Sequence, residues 1–404
     1  MEYNTRVILV DNKIKAKEEL KKIGSDEHGI QIMLEKTVFR VIKLENVKSK
    51  AANLLKQTFL SKGAEVAVSK SVADFSLDRT DVLICATIKQ FREALPILKI
   101  QPWGLATISK EIESVLTNLE KYPARYYSSD KAGTSFSIEK GKTLVMGILN
   151  ITPDSFSDGG KFNDLDKALK QAEKLVLDGA DILDIGAEST RPYGGCEKIS
   201  AEEEIERLIP VLKKVHENFK IPISVDTYKA KVAKEALENG ALLINDVWGL
   251  KFDPEMAKVI AEFNVPVVIM HNQEGTQYEK DILSEILTSL RKSMKIGLEA
   301  GISIDNFIVD PGIGFGKNTE QNLIVMSRLE ELSSLGCPVL LATSRKKFIG
   351  EKLDLPVDDR VEGTGATVAL GIAKGANIVR VHDVKEIKRI TKMMDAMLYP
   401  EIEI

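Results

Sequence analysis

Eight short apolar runs, each closed by a polar residue and most followed by a helical pattern, predict an α/β chain built around a (β/α)8 TIM barrel. Length points the same way: 404 residues exceed one ordinary domain, so a further unit is expected in front of the barrel. Charge divides the chain as well. Residues 1–139 hold 22 Lys/Arg against 18 Asp/Glu, a balance of +4, while 140–404 hold 34 against 42, a balance of −8. Such asymmetry fits two separately built units. The boundary is placed near residue 130, within a stretch (121–142) that mixes Pro, Ser, Gly and alternating charge without a helical period. The prediction is a smaller N-terminal α/β domain over 1–130 and the barrel over 131–404.

In the N-terminal part, strands are predicted over 6–10, 65–69 and 82–87, and helices over 15–23, 47–62, 88–99 and 110–121. No phosphate loop, metal cluster or nucleophile with a base stands out there, and Cys85 reads as a small buried residue at a strand end. Ser135–Glu139 followed by Lys140-Gly141 reads as a hairpin leading into the barrel.

The barrel strands are predicted over 144–149, 182–185, 221–225, 241–244, 265–270, 307–309, 339–342 and 378–381. They are rich in Val, Ile and Leu without alternation, as strands buried on both faces are. Helices fill gaps between them over 164–177, 201–218, 230–239, 284–300, 321–335 and 364–374. A doubly wound open sheet is the competitor, but it seldom needs eight parallel strands of this regularity.

Composition narrows the function. Hydrophobic residues make up 44% and charged residues 29%, an ordinary globular balance. No apolar run reaches the roughly 18–20 residues needed to span a bilayer, and the first residues lack the basic flank and cleavage site of a secretory signal. The net charge of −4 argues against a general nucleic-acid binder. Cys85, Cys196 and Cys337 are too few and too scattered for a disulfide framework or a zinc site. A cytoplasmic enzyme acting on small molecules is expected, with neither nucleic acid nor membrane as partner.

In a TIM barrel the active site lies at the carboxyl ends of the strands. The residues just past the runs are Asn150, Glu188-Ser-Thr190-Arg191-Pro192, Asp226, Asn245-Asp246, His271-Asn272, Asp310, Ser344-Arg345-Lys346 and Arg380-Val-His382. They separate by chemistry. Asp226, Asn245 and Asp310 supply acceptors and one amide, which suits a flat heterocycle with several N–H donors. Arg191, Lys346, Arg380 and His382 supply donors and positive charge, which suits phosphate or carboxylate oxygens. Together they predict a nitrogen heterocycle bearing an anionic leaving group.

The same segments carry a resemblance. Gly147-Ile-Leu-Asn150-Ile-Thr-Pro-Asp-Ser-Phe-Ser-Asp-Gly-Gly160, Glu188-Ser-Thr-Arg-Pro192, Ser224-Val-Asp226-Thr, Ile244-Asn245-Asp-Val-Trp-Gly249, Met270-His271-Asn272, Val309-Asp310-Pro-Gly-Ile-Gly-Phe315-Gly-Lys317, Thr343-Ser-Arg-Lys346-Lys-Phe-Ile-Gly350 and Arg380-Val-His382-Asp resemble, in order, the motifs of the dihydropteroate synthases. Residues 1–130 lie outside the resemblance. It implies joining of 6-hydroxymethyl-7,8-dihydropterin diphosphate to p-aminobenzoate, with Mg²⁺ as cofactor, and a homodimer. It implies that Asp226, Asn245, Asp310 and Lys346 bind the pterin, with Met270 and Phe315 on its faces. Asn150, Arg380 and His382 would hold the diphosphate, Asn150 also reaching Mg²⁺. Thr190, Arg191, Pro192 and Lys347 would shape the p-aminobenzoate pocket, and Asp226, Lys346 and Arg191 would carry the chemistry.

Three positions depart from the family pattern: Tyr193 where a glycine is usual, Gln273 where Arg is frequent, and Lys347 where some members have Ser. A second lysine beside Lys346 also suits a larger anionic arylamine. The nearest rival enzyme is a pterin-barrel methyltransferase using methyltetrahydrofolate, which would share the Asp/Asn/Asp floor but not need the Arg380/His382 pair. A non-catalytic pterin-binding protein is a rival of another class. Among single motifs, Gly312-Ile-Gly314-Phe-Gly316-Lys317 imitates a phosphate loop but lacks its Ser/Thr. His271 and Trp248 read as structural residues of the rim, and Glu202-Glu-Glu204 as a helix-start dipole effect.

Overall fold

The computed structural model describes residues 3–74, 76–151, 161–188 and 199–400. The first unit, Met1–Lys121, runs α1 (Lys13–Lys22), α2 (Glu27–Thr37), β1 (Phe39–Lys48), α3 (Ser49–Leu60), β2 (Glu65–Val68), β3 (Arg79–Thr87), α4 (Ile88–Lys99) and α5 (Leu105–Glu120). The strands form an antiparallel sheet in the order β1-β3-β2. One face packs on the helices: Ile42, Val66, Val82 and Ile84 join Leu55, Phe59, Phe91 and Leu98 in a buried cluster. On the opposite face Phe39, Val41 and Leu83 are exposed. Alternation along β3 thus sorts residues into and out of this core.

Two sequence expectations are corrected in this unit. Residues 6–10 form no strand, because a strand needs an edge to pair with and this segment pairs with none; Val7 is 89% and Leu9 84% exposed. The helix expected from 47 begins at Ser49, since Val47 and Lys48 still pair with Thr80 and Arg79. Strand β1 and helix α2 form where the sequence pattern predicts no element. The alternation in β1 is broken by a bulge between Leu44 and Val47, with Asn46 in the left-handed region.

The second unit, Tyr122–Ile404, starts earlier than the boundary expected near 130. The reason is an antiparallel hairpin, β4 (Arg125–Ser129) and β5 (Thr134–Ile138). Its Tyr127, Phe136 and Ile138 share a buried cluster with Leu144, Met146, Ile182, Leu243, Val268, Ile308, Leu340 and Ile378, which lie toward the amino-terminal ends of the barrel strands. The hairpin therefore plugs that end.

Among the described residues, eight parallel strands follow: β6 (Leu144–Asn150), β7 (Ile182–Gly186), β8 (Ile223–Asp226), β9 (Leu243–Asp246), β10 (Val267–Met270), β11 (Phe307–Asp310), β12 (Leu340–Leu341) and β13 (Ile378–Val381). Each pairs with its neighbour in sequence, and β13 pairs back onto β6. The last seam, between β11 and β12, is closed by a parallel bridge from Val309 to Val339 and by Val309 N–H donating to Pro338 O at 2.9 Å. The predicted TIM barrel is what forms. Outside it run α6 (Lys161–Leu177), α7 (Ala201–Asn218), α8 (Ala230–Glu238), α9 (Met256–Phe263), α10 (Ile282–Glu299), α11 (Thr319–Ser327), α12 (Lys347–Leu353), α13 (Val361–Ala373) and α14 (Val384–Leu398). Their apolar faces meet the outward strand residues in one large cluster. With the amino end plugged and the wall apolar, the carboxyl ends are where polar side chains gather. No helix among the described residues is long and apolar enough to cross a membrane.

Candidate active site

A partly buried arginine organises the carboxyl end of the barrel. Arg380, on β13, donates from Nε to Asp184 Oδ2 at 2.6 Å and from Nη2 to Asp226 Oδ2 at 2.7 Å. Asn245 Nδ2 reaches the same Asp184 Oδ2 at 3.4 Å. Asp184 Oδ1, Asp226 Oδ1 and Ser224 Oγ are buried and have no hydrogen-bond partner among the described residues. Buried acceptors left open at the mouth of a barrel are an invitation to a ligand carrying N–H groups.

Electrostatics sharpen this. Burial raises the Asp226 carboxyl to about 7, against the pull of Arg380. Burial raises Asp310 to about 6, opposed by the Gly312 N–H that donates to its Oδ1 at 2.7 Å and by Lys346 and Lys317. His382 is pushed down to about 3, by burial first and by Arg380 and Arg345 next. It is therefore neutral, with Nδ1 3.0 Å from Ser344 Oγ, and offers a hydrogen bond rather than the positive charge expected from sequence. Arg380 too is not a bare cation awaiting an anion: two carboxylates hold it.

Apolar walls flank these groups. Met270 and Phe315 belong to one buried cluster with Tyr228, Val247 and Trp248, which gives Trp248 the packing role read from its position. The ammonium of Lys346 stands over the Phe315 ring, 4.3 Å from its centroid. Gly186, at the end of β7, leaves room for its neighbours: a Cβ there would lie 3.5 Å from Asp226 Cβ and 3.7 Å from Asn150 Oδ1. The side chains of Asn150 and Asp226 thus face a common space.

Other expected residues are placed differently. Lys347 opens α12, is mostly exposed, and pairs with Glu351 at 2.9 Å. Glu188 accepts from Lys229 at 2.6 Å and from Tyr228 OH at 2.9 Å. Glu204 also accepts from Lys229, at 2.7 Å, and is buried. It is a member of an ion network and not merely a charge at the start of α7. Thr190, Arg191, Pro192 and Tyr193, and the Gly159-Gly160 pair that ends the first motif, lie outside the described residues.

Two residues that sequence reading passed over are central. Asp184 looks like an interruption of the Ile-Leu-Asp-Ile-Gly strand, yet a carboxylate inside a barrel strand must have a buried cationic partner, and Arg380 is that partner. Lys317 ends the glycine-rich loop as a fully buried ammonium.

Known proteins resolve what such a site belongs to. Residues 146–382 match the family model described as pterin binding enzyme. A dihydropteroate synthase of Bacillus subtilis is 61% identical over 259 residues, covering 64% of this chain and 90% of the relative. The chain belongs to the dihydropteroate synthase family. A second synthase, from Clostridium beijerinckii, is 55% identical over 258 residues, covering 64% of this chain and 95% of its own. Solved structures agree. The dihydropteroate synthase from Clostridium difficile in the presence of pteroic acid is 51% identical with a TM-score of 0.63, covering 64% of this chain and 98% of that one. That of Xanthomonas albilineans with 4-aminobenzoic acid is 37% identical with a TM-score of 0.64, covering 69% and 99%. The family model begins inside β6, so the first unit is outside what defines a dihydropteroate synthase.

Proposed function

We infer that the barrel condenses 6-hydroxymethyl-7,8-dihydropterin diphosphate with p-aminobenzoate, giving 7,8-dihydropteroate and diphosphate in folate biosynthesis. The observation that carries this reading is the open, buried carboxylate of Asp226 beside Asn245 and Arg380. Family membership agrees with it.

Asp226, Asn245, Asp310 and Lys346 bind the pterin edge, and Met270 and Phe315 pack on its faces. The reacting bond joins the pterin methylene to the diphosphate oxygen. When it breaks, both electrons leave with diphosphate, and the methylene cation is conjugated with the pterin ring. Asp226, ionised, stabilises that cation electrostatically. The arylamine nitrogen then forms the new C–N bond and loses a proton. Arg380 and Arg191 offset charge on the departing group, and His382 donates a hydrogen bond to it. Thr190, Arg191, Pro192 and Lys347 shape the p-aminobenzoate side.

The donor set suits Mg²⁺. The oxygens are hard, and no cluster of three or more His, Cys, Asp or Glu among the described residues could hold a metal unaided, so substrate oxygens would complete the shell. Asn150 Oδ1 would hold the ion, which would supply charge neutralisation at the diphosphate. Homodimerisation and a cytoplasmic location are part of the same proposal, supported by family resemblance and by composition respectively.

Asp226→Asn tests the role of the carboxylate. Turnover falls by about 10²–10³ while pterin binding is retained within a few-fold. Full turnover in that variant would remove Asp226 from the chemistry.

A further inference from the structure

We propose that Lys317 is a positioning residue for the pterin site: from beneath the loop after β11 it fixes Phe315 and Lys346 in the places where they meet the pterin ring. The inference rests on the function proposed above and adds a residue which that function does not use.

The loop contains Gly312, Gly314 and Gly316, all in the left-handed region at φ 68°, 82° and 56°. Glycine permits this path, but it brings no side chain with which to hold the path in place. Lys317 supplies the anchor. Its Nζ donates to Gly312 O at 2.9 Å and to Phe315 O at 3.0 Å, and lies 3.0 Å from His271 Nδ1. Three acceptors meet three N–H groups. The residue is 1% exposed.

Burying an ammonium is costly unless it is fully hydrogen-bonded, and here burial draws Lys317 down to about 7. Burial also pushes His271 down to about 2. The imidazole is therefore neutral, and with its proton on Nε2 it accepts from the ammonium at Nδ1. A neutral anchor would hold the loop without that cost. The charge has a counterpart in Asp310, whose attraction favours the ammonium, so Lys317 also helps keep the pterin-binding carboxylate ionised.

The loop it holds is in tight contact on three sides. A Cβ at Gly312 would fall 1.9 Å from His271 O, one at Gly316 2.8 Å from Gln273 O, and one at Gly314 2.9 Å from Lys346 Cδ. Lys346 in turn lies over the Phe315 ring. A change at Lys317 is therefore transmitted to the two groups proposed to face the pterin. Asn150 ends β6, Arg380 lies on β13 and His382 just past it, so these three belong to strands two and three places along the barrel from β11 and make none of the contacts that hold this loop.

The test is calorimetric binding of 6-hydroxymethylpterin and, separately, of inorganic pyrophosphate with Mg²⁺, to the full chain. Lys317→Met is expected to weaken pterin about 10–100-fold, the range typical of lost supporting contacts. Pyrophosphate affinity stays within about twofold, and Lys317→Arg recovers part of the pterin loss. Should Lys317→Met fail to fold, His271→Ala, which removes one acceptor from the opposite side, carries the same expectation. Unchanged pterin affinity, or equal losses of pterin and pyrophosphate, would overturn the inference. A wild-type chain that binds pyrophosphate but no pterin would instead overturn the proposed function, and the inference with it.

Discussion

The sheet of the first unit and the sheet of the barrel bury their strands in opposite ways. In the first, one face is covered by helices and the other exposes Phe39, Val41 and Leu83, so each strand alternates. In the barrel, both faces are buried, and charge is admitted where it is paired, as in Asp184–Arg380–Asp226, or held by backbone N–H groups, as at Asp246 and Asp310. The difference teaches where function can be read. A half-covered sheet tolerates polar residues anywhere on its open face, so they carry little information. A closed barrel makes each buried charge an energetic exception that needs a reason.

Removing one cation from each unit should test this contrast most severely. Arg380→Met leaves Asp184 and Asp226 buried without their partner, which costs about 3–5 kcal/mol of stability. It also lowers kcat/KM about 10³-fold or more. Arg92→Met removes the partner of Glu35 on an exposed surface and costs less than about 1 kcal/mol. Chemical denaturation with steady-state kinetics checks both.

Paired glycine substitutions have a smaller effect. Gly312→Ala puts a Cβ against a carbonyl oxygen in a left-handed position and costs about 2–4 kcal/mol. Gly24 has φ 80° and nothing within 4 Å. Its substitution by Ala costs only the backbone preference, about 1 kcal/mol, read as a shift in thermal midpoint.

Titration sharpens the contrast further. In its proposed role as a pterin acceptor Asp310 accepts more strongly when ionised, so pterin affinity is expected to rise with pH through about 6. Asp310→Asn removes the part of the rise centred near 6 and leaves the part that Asp226 contributes near 7. The same raised value means that the folded chain binds this proton more tightly than the unfolded chain, whose usual value is 3.8. The stability it contributes is present below about 4 and is lost as pH climbs through about 6. The smallest effect belongs to the open face of the first unit. Val41→Lys changes stability by no more than about 0.5 kcal/mol and leaves turnover unaltered.

The barrel was legible because continuous apolar strands with a polar residue at each carboxyl end leave a repeating mark, and the ordered motifs from Asn150 to His382 lie at those ends. Two kinds of feature were not. Asp184 sits inside a strand, where its meaning depends on Arg380, nearly two hundred residues away. The state of a group was hidden as well: His382 looks cationic in sequence, and only the burial around it makes it neutral. In the first unit, β1 was missed because its bulge interrupts the alternation, and residues 6–10 look like a strand but find no neighbour.

Product analysis tests the central claim most directly. The full chain is incubated with Mg²⁺, 6-hydroxymethyl-7,8-dihydropterin diphosphate and p-aminobenzoate, then with larger arylamines, while diphosphate and the pterin product are quantified together. Equal amounts of diphosphate and 7,8-dihydropteroate are the predicted result with p-aminobenzoate. Release of neither, with p-aminobenzoate or any larger arylamine, would contradict the account.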